Sequence, residues 1–416
     1  MRAGGPARSS RVGVSEQAAG LRRYADVLGA PGVGRVVCAA LLGRLPSGMA
    51  PLATVLLLRG EGRSYAVAGV VVAASSIASA IGWPLWGRLV DRIGQAQVLL
   101  PLGVVYPAAF AGLALLATHG APVVALTACS ALAGATLPPL GACMRALWPS
   151  LLESQGLRDT AYALEAWLQE LFFVFGPLIA AAVAVVASPW AAVLTASAFA
   201  AIGTIWFALM PAVRAVERKP RPPSRAGALG SAAVRTVMLS TCAMGVAFGI
   251  VEVAMPAFGE VHGSRAQGGF ALSCFALGSL LGGLWIGTRP PSRGLAMRFA
   301  LALAALALAL VPPLLAPSIL VMCALMLIAG MPIAPAFAAS YGLIDELAVP
   351  GTTTEAFALL GTAIVAGLSL GTSVSGVAIE QLGLTGALAL AAPCVGIATL
   401  LAVGRRGSLM ISEAVP

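Results

Sequence analysis

Charge is what this sequence has least of: 10% of its 416 residues are Asp, Glu, Lys or Arg, where an ordinary soluble domain carries about 25%. That shortage excludes a surface facing water on all sides. Lysine is nearly absent, one against 24 arginines. The single lysine, Lys219, is followed by Pro220 and lacks the glycines of a phosphate-binding loop, which excludes P-loop nucleotide hydrolysis. Histidine is limited to His119 and His262, isolated in turns, so neither a metal-ligand spacing nor a catalytic constellation is present and no enzyme is expected. The seven cysteines (Cys38, Cys129, Cys143, Cys242, Cys274, Cys323, Cys394) are scattered through apolar stretches and form no zinc motif or disulfide framework. They read as packed thiols. No cofactor motif stands out. The net charge of +9 does not imply nucleic acid, because the basic residues fall in short blocks and never form a stripe interleaved with aromatics.

Hydrophobic residues make up 59% of the chain. Stretches such as 36–58 and 191–210 are nearly free of charge and hold the roughly 20 residues that a helix needs to cross about 30 Å of hydrocarbon. Breaking the runs at charged or Pro/Gly-rich turns predicts helices 1 to 6 at 36–59, 66–86, 98–118, 121–145, 161–187 and 190–212. Helices 7 to 12 follow at 234–258, 268–288, 296–316, 318–342, 353–378 and 384–404. The fold class expected is an all-α membrane protein of twelve transmembrane helices in two pseudo-symmetric six-helix bundles. Its divisions are a basic N-terminal tail at 1–34, bundles at 35–212 and 233–405, a linker at 213–232, and a C-terminal tail at 406–416. The linker carries Arg214, Arg218, Lys219, Arg221 and Arg225 among three prolines, a composition unsuited to burial.

With the N-terminus inside, 21 of the 25 Lys and Arg residues lie on one side, and the outer loops hold only Arg59, Arg63 and Arg265. By the positive-inside rule both termini are expected in the cytoplasm. The arginine-rich, Ala- and Gly-rich composition suggests a bacterial inner membrane. The halves also resemble each other. Ala161-Tyr162-Ala163-Leu164 matches Ala356-Phe357-Ala358-Leu359 at an offset that also carries Gly176 onto Gly371, and Gly82 and Gly87 fall on Gly282 and Gly287. Near-constant offsets favour a duplicated unit.

Between helices 2 and 3 stands Gly87-Arg88-Leu89-Val90-Asp91-Arg92-Ile93-Gly94, a short turn with Asp91 expected at the start of helix 3. The segment resembles the signature loop of the major facilitator superfamily. That resemblance implies two bundles rocking about a central cavity, with Gly87, Asp91, Arg92 and Gly94 as a gate motif on the cytoplasmic side. Gln95, Ala96 and Gln97 depart from the basic residues that usually follow. Helix 5 keeps Gly176-Pro177, a kink resembling that of drug-exporting relatives, although Ser130 replaces the arginine that such relatives carry in helix 4.

Charges inside spans cost about 2.5–3.5 kcal/mol each and therefore pair or face a polar cavity. Arg44 and Glu170 lie at similar depth and are expected to pair, as are Arg145 and Glu165, either as structural ion pairs or as sites of substrate binding or proton coupling. Glu252 has no basic residue at its depth and is the leading candidate for a proton-coupling site. Arg88 and Arg92 are expected to face Asp345, Glu346 or Glu355 across the bundles. The function expected is secondary active transport of a small molecule by alternating access, as a monomer in a lipid bilayer with the proton as coupling ion. Efflux is the leading direction and nutrient uptake the alternative; a receptor or membrane enzyme is a remote one.

Overall fold

Inside hydrocarbon the backbone must hydrogen-bond to itself, and a helix satisfies that locally. The computed structural model describes residues 22–216, 227–262, 265–287 and 294–409, and most of them are helical. Helices 1, 2 and 3 span Val33–Gly60, Tyr65–Ile93 and Gln95–Thr118. Helix 4 comes in two pieces, Val123–Thr136 and Leu140–Leu151, separated at Pro138 and Pro139, which have no amide hydrogen to give. Helices 5 and 6 span Gln155–Val186 and Pro189–Leu209.

The second half repeats this plan. Helices 7 and 8 span Ala232–His262 and Arg265–Gly287. Helix 9 is Leu295–Ala309 with a 3-10 turn at Pro312–Leu315. Helix 10, like helix 4, is divided, into Ile319–Gly330 and Ile333–Leu347 around Pro332. The run Thr353–Ala389 is two helices joined at Gly383, whose φ of 74° only glycine adopts readily. Helix 11 lies before Gly383; helix 12 lies after it and continues through Ala391–Gly404.

Two bundles of six helices result, and their contacts repeat with the offsets seen in the sequence. Gly82 packs on the carbonyl of Ala135 and Gly282 on that of Met331; Gly134 packs on Ser75 and Gly330 on Phe275. Gly48 meets Gly176 between helices 1 and 5, and Gly249 meets Gly371 between helices 7 and 11. With no side chain in the way the backbones touch, which is how helices associate where lipid removes the hydrophobic drive. Outward-facing Ile77, Ile81, Val185, Val186, Leu320 and Leu400 are more than half exposed. Such a girdle suits lipid and not water.

Several boundaries differ from expectation, among them the end of helix 2, which runs on to Ile93. Helix 4 runs on to Leu151 and helix 5 starts at Gln155, not at 161. At about 1.5 Å per residue, the 32 residues of helix 5 reach about 48 Å, beyond the hydrocarbon. A hydropathy window registers only the part inside. Within the expected tail, residues 22–29 form a helix that buries Tyr24 and Val27, and the Tyr24 hydroxyl donates to the Gly283 carbonyl at 3.0 Å. Residues 1–21 of that tail, the linker over 217–226 and the C-terminal tail from 410 lie outside the described residues. Cys38 is exposed on helix 1 and is not a packed thiol, whereas Cys143 is buried.

Candidate functional site

At one end of the molecule the halves are fastened by the segment between helices 2 and 3. Asp91 lies near the end of helix 2 and not at the start of helix 3 as expected. Its carboxylate crosses to the other half and accepts from the backbone N–H groups of Thr354 at 3.0 Å and Glu355 at 2.9 Å. Thr352, which precedes helix 11, provides no side-chain cap, so Asp91 caps that helix from the opposite bundle. Arg88 adds an ion pair to Glu355 at 2.7 Å. Gly87 fits because a side chain there would press on Glu355 and Ala358, and Gly94 ends helix 2 with φ of 100°. Arg92 is exposed and makes no ion pair among the described residues, so only Arg88 of the two arginines meets its expected partner.

Further links tie the same end. Arg298 pairs with Asp159 at 2.8 Å, Arg158 with Asp345 at 3.8 Å, and Gln155 donates to Glu346 at 3.0 Å. Arg158 and Asp159 were missed in the sequence because they fall outside the predicted span. Spacing held the available signal: Arg158, Tyr162, Glu165 and Gln169 recur every three or four residues, a polar stripe on one face of helix 5.

Next to this latch, near mid-depth, is a cavity of about 130 Å³, below the roughly 300–1,000 Å³ of sites for drug-sized molecules. Its wall includes Arg44, Arg145, Trp83, Gln169, Phe337 and Tyr341. Arg44 pairs with Glu165 at 2.8 Å and not with Glu170; Arg145 is 3.9 Å from the same Glu165 oxygen. Depth alone could not separate the two acids, but rotation about helix 5 does. Glu165, Phe172 and Gly176 share a face, and Gly176 is the contact with helix 1. Five residues on, Glu170 is turned by about 140° and accepts from Ser279 of helix 8 at 3.0 Å.

The guanidiniums also stack on rings, Arg44 over Phe172 at 4.7 Å and Arg145 over Tyr341 at 4.3 Å. Gln169 accepts from both Arg145, at 3.1 Å, and Tyr341, at 3.2 Å, and so fixes one guanidinium against the other half. Glu252 is exposed on helix 7, outside the cavity wall, contrary to the burial expected of it. Ser130, at the position of the missing arginine, donates to the Val71 carbonyl at 2.7 Å and joins helix 4 to helix 2. Pro177 lies inside an unbroken helix 5 beside Gly176.

Comparison with known proteins agrees with this architecture. The family model described as Major Facilitator Superfamily matches residues 36–348. Among curated proteins none matches the chain in sequence. Solved structures do resemble it. A bacterial homologue of the iron transporter ferroportin in an outward-facing state is 14% identical with a TM-score of 0.72, covering 90% of this chain and 99% of its own. The human organic anion transporter MFSD10 is 18% identical with a TM-score of 0.69, covering 88% and 99%. The E. coli fucose:proton symporter is 13% identical with a TM-score of 0.68, covering 89% and 97%.

Proposed function

The chain belongs to the major facilitator superfamily of membrane transporters, and from that premise we propose that it exports a small molecule in exchange for protons. The observation that carries this reading is the pairing of a fastened end with a cavity directly beyond it. Asp91 and Arg88 hold helix 11 across the bundles, while Arg44, Arg145 and Gln169 present polar groups to a space between them. A transporter working by alternating access needs one closed gate beside a reachable site. The basic excess on the latch side supports a cytoplasmic location for it, which makes this the state open to the outside, with both termini in the cytoplasm. Gly176-Pro177 supports efflux.

For the coupling proton the geometry favours Glu170 over Glu252. Glu170 touches a hydroxyl of the other half, so a change in its charge alters a contact that must break as the bundles rock. Glu252, exposed and off the cavity wall, has no comparable lever. Proteoliposomes with an imposed pH gradient test the reading, with substrates first found by screening resistance and labelled uptake in cells lacking their main exporters. Vesicle orientation is fixed by labelling cysteines placed at Glu61 and Ser154, which react from opposite faces. Wild-type protein concentrates substrate only with the gradient. Glu170→Gln exchanges substrate but does not concentrate it, and Glu252→Gln behaves as wild type. Accumulation by the Glu170→Gln protein moves coupling elsewhere, and accumulation on the cytoplasmic side replaces efflux by uptake.

A further inference from the structure

We infer that the central cavity binds a small organic anion with an apolar body, an inference that rests on the transport reading for calling this ligand a substrate. The wall of the cavity carries two guanidiniums, Arg44 and Arg145, and no carboxylate. Both arginines are more than nine-tenths buried, at 6% and 7% exposure. The acid facing them is Glu165, behind the wall, at 2.8 Å from Arg44 and 3.9 Å from Arg145. Two positive charges therefore share one negative partner. The neighbouring acid, Glu170, is engaged by Ser279 and is also absent from the wall.

Donors are left over as well. A guanidinium has five N–H groups, and those of Arg145 are only partly used: one terminal nitrogen donates to Gln169, while Nε faces Glu165 at 3.9 Å, too far for a hydrogen bond, and the other terminal nitrogen makes no hydrogen bond among the described residues. Trp83 Nε1, buried and on the same wall, has none either. A buried charge whose partners are incomplete is costly, and an acceptor carrying negative charge is the chemistry that completes it.

Gly141 marks the spot. A terminal nitrogen of Arg44 and one of Arg145 each lie 3.4 Å from the point where a side chain at Gly141 would begin. With no side chain at Gly141, both guanidiniums stay open to the cavity on that side, where an oxyanion can approach the two forks. Around it the wall is apolar, with Phe337, Phe357, Leu360 and Ile364, which suits a ring or short hydrocarbon attached to the anionic group.

The test uses the purified full-length protein in detergent and four probes: benzoate, benzamide, benzylamine and chloride. Benzoate should raise the unfolding temperature and bind at least about tenfold more tightly than the neutral or cationic analogue, the size expected of a hydrogen bond to a charged group. Chloride should not match it. Gly141→Ala places a methyl at ordinary contact distance from both guanidiniums, so the variant should keep its unliganded unfolding temperature and lose the preference for benzoate. Equal binding of benzamide or benzylamine, absence of benzoate binding, stabilisation by chloride equal to that by benzoate, or a preference retained in Gly141→Ala each overturns the inference. Failure of the transport reading looks different: benzoate then binds with the stated preference, yet no compound crosses proteoliposomes. Movement of neutral or cationic compounds without anion binding leaves transport standing and removes the anion site.

Discussion

Glu165 is 1% exposed and has two arginines within ion-pair distance, so its removal would leave two buried charges without an acid between them. Breaking a buried pair by deleting one partner costs about 3–5 kcal/mol. Glu165→Gln should therefore lower the unfolding temperature in detergent and reduce the yield of folded protein. Adding Arg44→Gln should restore part of that loss, because the second change removes one of the stranded charges, and a double-mutant cycle reads the coupling directly. Equal stability of wild type and Glu165→Gln would mean that water already compensates the cluster. The sequence supplied these residues and the pairing of Arg145 with Glu165, but not the partner of Arg44. Arg44, Arg145, Glu165 and Glu170 are recognisable as charges inside spans, yet which acid meets Arg44 depends on rotation about helix 5, and depth is blind to rotation.

Elements were more legible than partners, since the apolar runs that define them are the physical requirement for crossing lipid. Helix 12 lies where the 384–404 run put it, and the offsets that join Gly176 to Gly371 reappear as equivalent contacts. What escaped was the protruding start of helix 5 and the turn of helix at 22–29, because polar residues outside hydrocarbon carry no hydropathy signal. Glycine contacts give this scale its own prediction. Gly48→Ala drives a methyl into the backbone of Phe172 on helix 5 and should destabilise the protein by about 1–3 kcal/mol, the usual range for overpacking. Gly396→Ala in helix 12, where a methyl meets nothing within 4 Å, should be neutral or stabilising by up to about 1 kcal/mol. Thermal unfolding of the two variants side by side checks the contrast; similar losses in both would mean that the close approach of helices 1 and 5 is not tight.

At the scale of the whole molecule, the latch couples a local cap to the relative position of two bundles. Asp91 stabilises the start of helix 11 only while the halves are fastened at that end, so its charge favours that state over any in which they part. A carboxylate at a helix N-terminus is worth about 0.3–2 kcal/mol, which at about 1.4 kcal/mol per decade corresponds to a shift of roughly twofold to thirtyfold in the population ratio. Asp91→Asn should therefore open the latch in a measurable fraction of molecules without unfolding either bundle. Spin labels on cysteines at Ile93 and Pro350, on opposite halves of this end, would report the opening as a second, longer distance. Arg88→Ala should act in the same direction through loss of its ion pair with Glu355. Arg92→Ala should leave the distance distribution unchanged, because Arg92 is exposed and pairs with no described acid. A single short distance in Asp91→Asn would show that Arg298 with Asp159 and Arg158 with Asp345 hold the end closed without the cap. A longer distance in Arg92→Ala would instead place the weight of the gate on a residue that the closed state leaves in solvent, as a group engaged only after the bundles have moved.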